Sequence, residues 1–139
     1  MGFERTAART QSATLRTSMY FAYGRDRRNG LRSATTFEAI LAGERTSTTR
    51  FPVWPGYGRW TRLTPGDPVR FYADRDMRGK FVDVVVERIS EIDLAHCSEL
   101  ELEEWSKAEG WSTAAGRGFG RRYGRGLQIH YVLAPAGAG

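Results

Sequence analysis

The chain has 139 residues, of which 40% are hydrophobic and 27% are charged, and its net charge is +5. This length and composition predict one soluble, folded domain, and the lack of a long uncharged apolar run excludes a membrane-spanning helix. The only cysteine, Cys97, excludes an internal disulfide and a Cys-Cys zinc pair. We therefore expect a cytoplasmic protein with no metal, no cofactor and no membrane partner.

The charge is distributed unevenly along the chain. Residues 1–62 have a net charge of +7, residues 63–116 of −6 and residues 117–139 of +4. If the two basic segments converge in the fold, they form a surface that attracts polyanions or nucleotides. Only two of the 21 basic residues are lysine, and arginine suits bidentate contacts to phosphate and base edges. A GC-rich coding sequence gives the same bias without any functional meaning.

The first part of the chain predicts a flexible segment, two strands and one helix. Residues 1–13 are small and polar, and we expect them to be flexible. Residues 15–23 are rich in threonine and aromatic residues, which predicts a strand, and residues 24–30 predict a charged loop with an Asn-Gly turn. A short amphipathic helix then ends at Gly43, and residues 45–51 predict the second strand.

The second part of the chain predicts more strands and a second helix. Residues 52–60 contain two prolines and two glycines, which predict an irregular insertion. Ser98 begins a capping box, which predicts a helix that ends at Gly110. Alternating apolar side chains predict three further strands, over residues 69–73, 81–89 and 127–133.

Glycine and arginine repeat between residues 116 and 126, which predicts a loop similar to a disordered RGG-type segment. Residues 135–139 predict a short flexible tail, so the domain itself is expected to span residues 14–134. Strands dominate the whole pattern and only two short helices join them. The sequence therefore predicts a strand-dominated α+β fold, a small and partly open β-barrel.

The most informative segment is residues 43–50, which read Gly-Glu-Arg-Thr-Ser-Thr-Thr-Arg. In an extended strand Thr46, Thr48 and Arg50 share one face, and Arg45 shares the other face with the residues between them. Either face places hydroxyl groups beside a guanidinium group, which suits a phosphate, a carboxylate or a nucleobase edge. The alternative is an ordinary polar strand that follows a glycine-capped helix.

Three motifs in this order resemble the signature of the ASCH domain. The first is the end of the helix with residues 43–50, similar to Gly-x-Lys-Thr-x-Thr-x-Arg. The second is the turn and strand at residues 65–71, which read Pro-Gly-Asp-Pro-Val-Arg-Phe. The third is the strand at residues 82–86 with the acidic helix that ends in Glu109-Gly110. The resemblance covers residues 15–134 and implies a PUA-like barrel, a fold associated with RNA and modified bases.

The resemblance also implies site residues. In the ASCH branch that removes acetyl groups from modified cytidine, a lysine, a threonine and a glutamate form the catalytic set. Matching the motifs assigns Thr48 to the nucleophile, Glu109 to the acid and Arg45 to the lysine. Because arginine keeps its proton at neutral pH, Arg45 cannot act as the base, although it can hold an anion or stabilise an oxyanion. The ligand-binding set implied by the resemblance is Arg45, Thr46, Thr48, Arg50 and Glu109.

Three segments rich in arginine and aromatic residues predict contacts to nucleic acid. Single-stranded nucleic acid binds in basic grooves that also carry aromatic platforms. The alternative is that these segments are flexible surface loops without a ligand. The candidate contact residues are Arg25, Arg27 and Arg28 in the first segment, Tyr57, Arg59 and Trp60 in the second, and Arg117, Arg121 and Arg122 in the third.

We therefore expect a protein that binds RNA or a modified nucleoside or nucleotide in an ASCH-type cleft. One alternative is a hydrolase that uses Thr48 and Glu109, either an amidohydrolase acting on acylated cytidine or a ribonuclease. A second alternative is a protein-interaction module that uses the acidic helix, although a run of glutamates is usually a solvated face.

Overall fold

The computed structural model describes residues 17–20, 36–72, 77 and 79–135. The expected flexible segment at residues 1–13 lies outside these ranges, as does most of the expected tail. The first charged loop also lies outside the described residues, with its arginines Arg25, Arg27 and Arg28.

The strands form one five-stranded sheet in the order β1-β3-β4-β5-β2. Their bounds are Thr17–Tyr20 for β1, Ser47–Arg50 for β2, Pro68–Tyr72 for β3, Phe81–Asp93 for β4 and Arg125–Leu133 for β5. β1 and β3 are parallel, and the other neighbouring strands are antiparallel. The sheet curls into a partly open barrel, which confirms the strand-dominated α+β fold.

Four helices accompany the sheet within the described residues. They are α1 at Thr36–Leu41, α2 at Tyr57–Trp60, α3 at Glu99–Glu109 and α4 at Thr113–Tyr123. The sequence predicts α1 and α3, and α3 has the expected capping box at Ser98 and the expected cap at Gly110, whose φ is 77°. The other two helices occupy segments where the sequence predicts an irregular chain. Those two local predictions are wrong.

The helix α2 forms because its helix-breaking residues precede it. Pro52 and Pro55 lie before the turn, where a missing N–H and a fixed φ do not interrupt a helix. Gly56 has a φ of 85° and leads the chain into the single turn at Tyr57–Trp60. Composition alone therefore misleads here, because the order of the residues within the segment decides the structure.

The helix α4 forms because two of its glycines pack closely against neighbouring parts of the chain. Gly116 and Gly120 are separated by about one helical turn and lie on one face. A Cβ at Gly120 would lie 2.2 Å from the backbone N of Ala95, and one at Gly116 would lie 2.8 Å from the Trp105 ring. Ser112 caps the first turn with its side chain. The glycine repeat is thus a packing surface, and the predicted RGG-type loop is incorrect.

A β-bulge interrupts the alternation of side chains in β4. Val86 pairs with Tyr131, and the next pair joins Arg88 to His130, so Glu87 is the extra residue. The extra residue reverses the alternation, which places Ile89 against the barrel core and keeps Arg88 on the other face. The strand can therefore continue beyond its predicted end at residue 89.

Two apolar clusters lie on the two sides of β2. The inner cluster lies inside the barrel and comprises Ile40, Trp60, Leu63, Val69, Phe71, Val82, Val84, Val86, Ile129 and Tyr131. The outer cluster lies beneath α3 and α4 and comprises Phe51, Leu94, Leu102 and Trp105. Side chains of β2 alternate between these two environments. None of the helices that the structure describes is both long enough and apolar enough to cross a membrane.

Candidate functional site

Glu109 is the centre of a buried polar cluster beside β2. Its side chain is 1% exposed, and that of Arg45 is 7% exposed. Ser47 Oγ and Thr49 Oγ1 each donate a hydrogen bond of 2.7 Å to Glu109 Oε2, and Arg45 Nη2 lies 3.4 Å from Glu109 Oε1. Hydrogen bonds to an ionised carboxylate are short and strong. Three donors therefore fix the Glu109 carboxylate in place.

Two further side chains complete this cluster from neighbouring elements. Trp105 Nε1 donates to Thr49 Oγ1 over 2.9 Å. Gln128 Nε2 donates to Ser47 Oγ over 3.0 Å, from the strand β5 that pairs with β2. Each hydroxyl thus accepts one hydrogen bond and donates another, which gives a consistent network. We refer to Arg45, Ser47, Thr49, Trp105, Glu109 and Gln128 as the Glu109 cluster.

Backbone contacts hold the start of β2 between α3 and β5. Thr46 N donates to Ala108 O over 2.8 Å, and Tyr131 N donates to Thr46 O over 3.1 Å. The Tyr131 hydroxyl donates to Arg45 O over 3.1 Å. Burial raises the pKa of the Tyr131 hydroxyl well above its ordinary value, so that group remains a donor at neutral pH.

The position of Glu109 is unfavourable for the helix that carries it. Glu109 is the last residue of α3, where the negative end of the helix dipole repels a carboxylate. Removing two charges from water is costly, and apolar residues of similar size often stabilise a core better than a buried ion pair. Helix stability therefore does not explain why a carboxylate lies here.

Thr48 and Arg50 lie on the opposite face of β2 from the Glu109 cluster. Thr48 pairs with Ile129 and Arg50 with Leu127, and both partners belong to or pack against the inner cluster. The Arg50 guanidinium carbon lies 4.8 Å from the centroid of the Trp60 ring. The alternation of the strand therefore brings Arg45 to Glu109 and does not bring Thr48 or Arg50 there.

The predicted nucleic-acid contacts in α2 have different environments. Arg59 is exposed, and its Nη1 donates to Ser18 O of β1 over 3.3 Å. Tyr57 is half-buried against the inner cluster. Trp60 is 6% exposed, so its ring is part of the core and does not present a stacking platform on the surface.

The three arginines of α4 that are predicted to contact nucleic acid also have different environments. Arg117 Nη1 donates to Leu94 O over 3.1 Å and Arg117 Nη2 donates to Cys97 O over 2.9 Å. This side chain therefore joins α4 to the loop between β4 and α3. Arg121 and Arg122 are exposed in the last turn. Of the three arginines, these last two are the exposed ones.

Sequence reasoning missed four members of the Glu109 cluster as site residues: Ser47, Thr49, Trp105 and Gln128. The alternation of residues 43–50 already places Ser47 and Thr49 on the face of Arg45, so the signal for these two was present. Gln128 is a polar residue between apolar neighbours in β5, which is also a visible signal. Trp105 has an ordinary core pattern, and its N–H contact follows only from the structure.

Two other features bear on the chemistry of this region. Burial and, secondarily, the charge of Arg88 lower the pKa of His130, the neighbour of Ser47 on β5, so its imidazole is neutral at pH 7. Among the residues that the structure describes, no three histidine, cysteine or acidic side chains lie close enough together to hold a metal ion.

Comparison with solved structures gives the fold a name. An ASCH domain from Lactobacillus crispatus superimposes with a TM-score of 0.52 and 16% identity, over 84% of this chain and 79% of that one. The chain adopts the ASCH-domain fold. A DUF984 protein from Enterococcus faecalis gives a TM-score of 0.56 with 10% identity, over 92% of this chain and 85% of that one.

Two single-residue variants of ZmASCH from Zymomonas mobilis have the same ASCH fold. Their TM-scores are 0.50 and 0.53, their identities 13% and 11%, and the matches cover 68% and 82% of this chain. The chain spans 60% and 65% of the length of those two proteins. No protein-family model and no curated protein sequence matches the chain.

Proposed function

We propose that this ASCH-fold chain binds RNA or a modified nucleoside or nucleotide at β2. The contact between Arg45 and Glu109 carries the proposal. The two residues are 64 positions apart, they match two of the ASCH motifs, and they form an ion pair whose burial costs stability. A costly pair that joins two motif positions supports a role in holding the motif strand for ligand recognition.

The proposal gives the two faces of β2 different roles. The Glu109 cluster positions the strand from the outer side, with Thr46 at its start. Thr48 and Arg50 face the barrel interior, and there a hydroxyl and a planar guanidinium suit a base edge or a phosphate. Exposed arginines outside the barrel, among them Arg59, Arg121 and Arg122, attract the phosphate backbone of an RNA strand.

The alternative function, hydrolysis of acylated cytidine or of RNA, has weaker support. A threonine nucleophile needs a nearby base that accepts its proton. Glu109 holds donors from the face of β2 opposite to Thr48, and Arg45 keeps its own proton. Neither residue therefore supplies Thr48 with a base in this arrangement, and binding without hydrolysis is better supported.

Fluorescence anisotropy with short single-stranded RNA tests the binding proposal. Because three phosphate contacts release about two counterions from a single strand, we expect the affinity to fall about 15-fold between 50 and 200 mM salt. An affinity that does not change with salt, or no binding at all, contradicts the proposal. Turnover of acetylated cytidine by the native chain, lost in Thr48→Ala, would establish hydrolysis in its place.

A further inference from the structure

Trp60 has a buried hydrogen-bond donor for which the described part of the chain offers no acceptor. Its side chain is 6% exposed, and Nε1 is buried without a partner among those residues. Trp105 is also buried, but its Nε1 donates to Thr49 Oγ1. An unpaired buried donor loses its hydration without compensation, so Trp60 Nε1–H marks a position where an acceptor is favourable.

The ring of Trp60 is covered by protein, and its N–H edge lacks a partner among the described residues. The guanidinium of Arg50 lies over the ring, and a Cβ on Gly56 would lie 3.3 Å from Trp60 Cζ2. Protein therefore packs against the ring, and a nucleobase has no exposed ring surface on which to stack. The in-plane N–H remains as the group that can recognise a ligand.

Arg50 brings further donors to the same place. A guanidinium carries five N–H donors in one plane, so Arg50 can donate to a ligand oxygen in addition to the contacts that it already makes. Arg50 and Tyr57 are half-buried, so the inner cluster reaches solvent at this end. An acceptor that contacts the half-buried Arg50 therefore lies beside the buried indole that lacks a partner.

We propose that Trp60 Nε1–H and the Arg50 guanidinium together bind a phosphate oxygen of a nucleotide. This inference rests on the proposed function and names the ligand group that the inner face of β2 recognises. A phosphate has several acceptor oxygens and can accept from two residues at once, whereas a base carbonyl has one oxygen. Bonds from a guanidinium to a phosphate are also charge-assisted, and therefore stronger than bonds to a neutral carbonyl.

The indole N–H signals of ¹⁵N-labelled protein test this inference at the level of a single atom. The chain has four tryptophans, and the signal of Trp60 is identified by its loss in Trp60→Phe. The native protein is titrated separately with 5′-CMP, cytidine and inorganic phosphate. We expect 5′-CMP and phosphate to move the Trp60 signal and cytidine to leave it in place. The signal of Trp105, which already has a partner, serves as the internal reference.

Variants separate the recognition of phosphate from the fold. Trp60→Phe keeps an aromatic ring and removes the N–H, and Arg50→Met keeps much of the side-chain length and removes the charge. Each is expected to weaken 5′-CMP binding at least tenfold and to leave cytidine binding unchanged. Arg62→Met removes an exposed arginine close to Trp60 in the chain and is expected to bind 5′-CMP like the native protein.

Each other outcome has a definite meaning. If 5′-CMP moves other indole signals while the Trp60 signal stays in place, the inference is overturned and the proposed function stands. If cytidine moves the Trp60 signal as far as 5′-CMP does, the acceptor is a base oxygen and the phosphate assignment is wrong. If only inorganic phosphate moves it, the position takes a free anion, which also overturns the inference. If neither 5′-CMP nor RNA binds, the proposed function and this inference both fall.

Discussion

Two segments of this chain combine glycine with arginine, and they fold in opposite ways. In residues 43–50 the arginines turn inward, since Arg45 is buried and Arg50 half-buried. In α4 the glycines turn inward, since Gly116 and Gly120 are buried, and the arginines of the last turn are exposed. The spacing decides this difference, because side chains alternate in a strand and return to one face after about four residues in a helix. Similar composition therefore gives a strand whose arginines point inward in one place and a helix whose glycines point inward in the other.

The largest expected effect concerns the buried contact between Arg45 and Glu109. Glu109→Gln keeps the shape of the side chain but removes the negative charge that Arg45 contacts. We expect the free energy of unfolding to fall by about 3–5 kcal/mol, because breaking a buried ion pair is strongly destabilising. Urea denaturation followed by circular dichroism measures this change.

The control for that measurement is Glu104→Gln, an exposed glutamate on the same helix. It is expected to change the free energy of unfolding by less than about 0.5 kcal/mol. The double variant Arg45→Met/Glu109→Leu replaces both charges and should recover most of the lost stability. Equal effects of Glu109→Gln and Glu104→Gln would show that the buried pair does not distinguish the strand from an ordinary polar segment.

The second prediction compares two glycine substitutions in α4, one on the packed face and one on the other face. Gly120→Ala introduces a Cβ 2.2 Å from the backbone N of Ala95, and backbone atoms cannot move aside as a side chain can. We expect a loss of about 3 kcal/mol in the free energy of unfolding. Gly118→Ala, two residues away on the other face, adds a Cβ with no contact closer than 3.9 Å and should gain about 0.5–1 kcal/mol from helix propensity.

The same denaturation measurement compares the two glycine variants directly. If α4 were a loop whose glycines provide only flexibility, both substitutions would have small effects of the same sign. Opposite signs at Gly118 and Gly120 are expected only from a helix with one face packed against residues 94–95. This pair thus distinguishes the packing helix from the RGG-type segment that the composition indicates.

The smallest expected effect is a change in the salt dependence of RNA binding, and it concerns the exposed arginines of α4. Arg121→Gln/Arg122→Gln removes two exposed positive charges. The plot of log affinity for RNA against log salt should therefore become less steep, with a negative slope smaller in magnitude by about 1.4. Arg117→Gln should leave this slope unchanged, because its guanidinium is bound to the carbonyl oxygens of Leu94 and Cys97. Anisotropy titrations at several salt concentrations give both slopes. An unchanged slope in the double variant would remove α4 from the proposed RNA contact.

Much of the fold and one contact of the site follow from the sequence. Alternating apolar residues define most strands, and a capping box and a glycine define α3. The motifs single out Arg45 and Glu109, which the structure brings together across 64 positions. The sequence also contains a signal for the β-bulge in β4. The apolar residues Val82, Val84 and Val86 are two positions apart, but the next one in the series, Ile89, follows after three positions.

The features that the sequence did not predict depend on contacts between distant segments. Glycine has a low helix propensity, so the three glycines of α4 argue locally against a helix. Close packing against residues 94–95 and Trp105 outweighs that propensity. The hydrogen bonds from Trp105 and Gln128 to the hydroxyls of β2 likewise form only when α3, β5 and β2 come together in the fold. No local sequence pattern predicts these contacts.

The hydrogen bond from Gln128 to Ser47 spans 81 positions of the chain, and this has a consequence for biosynthesis. β2 is synthesised before β5, so it has neither its pairing strand nor Gln128 until β5 has been made. A nascent chain therefore cannot hold β2 in its native geometry before β5 has been made. The proposed binding at β2 becomes possible only when β5 has been synthesised and has joined the sheet.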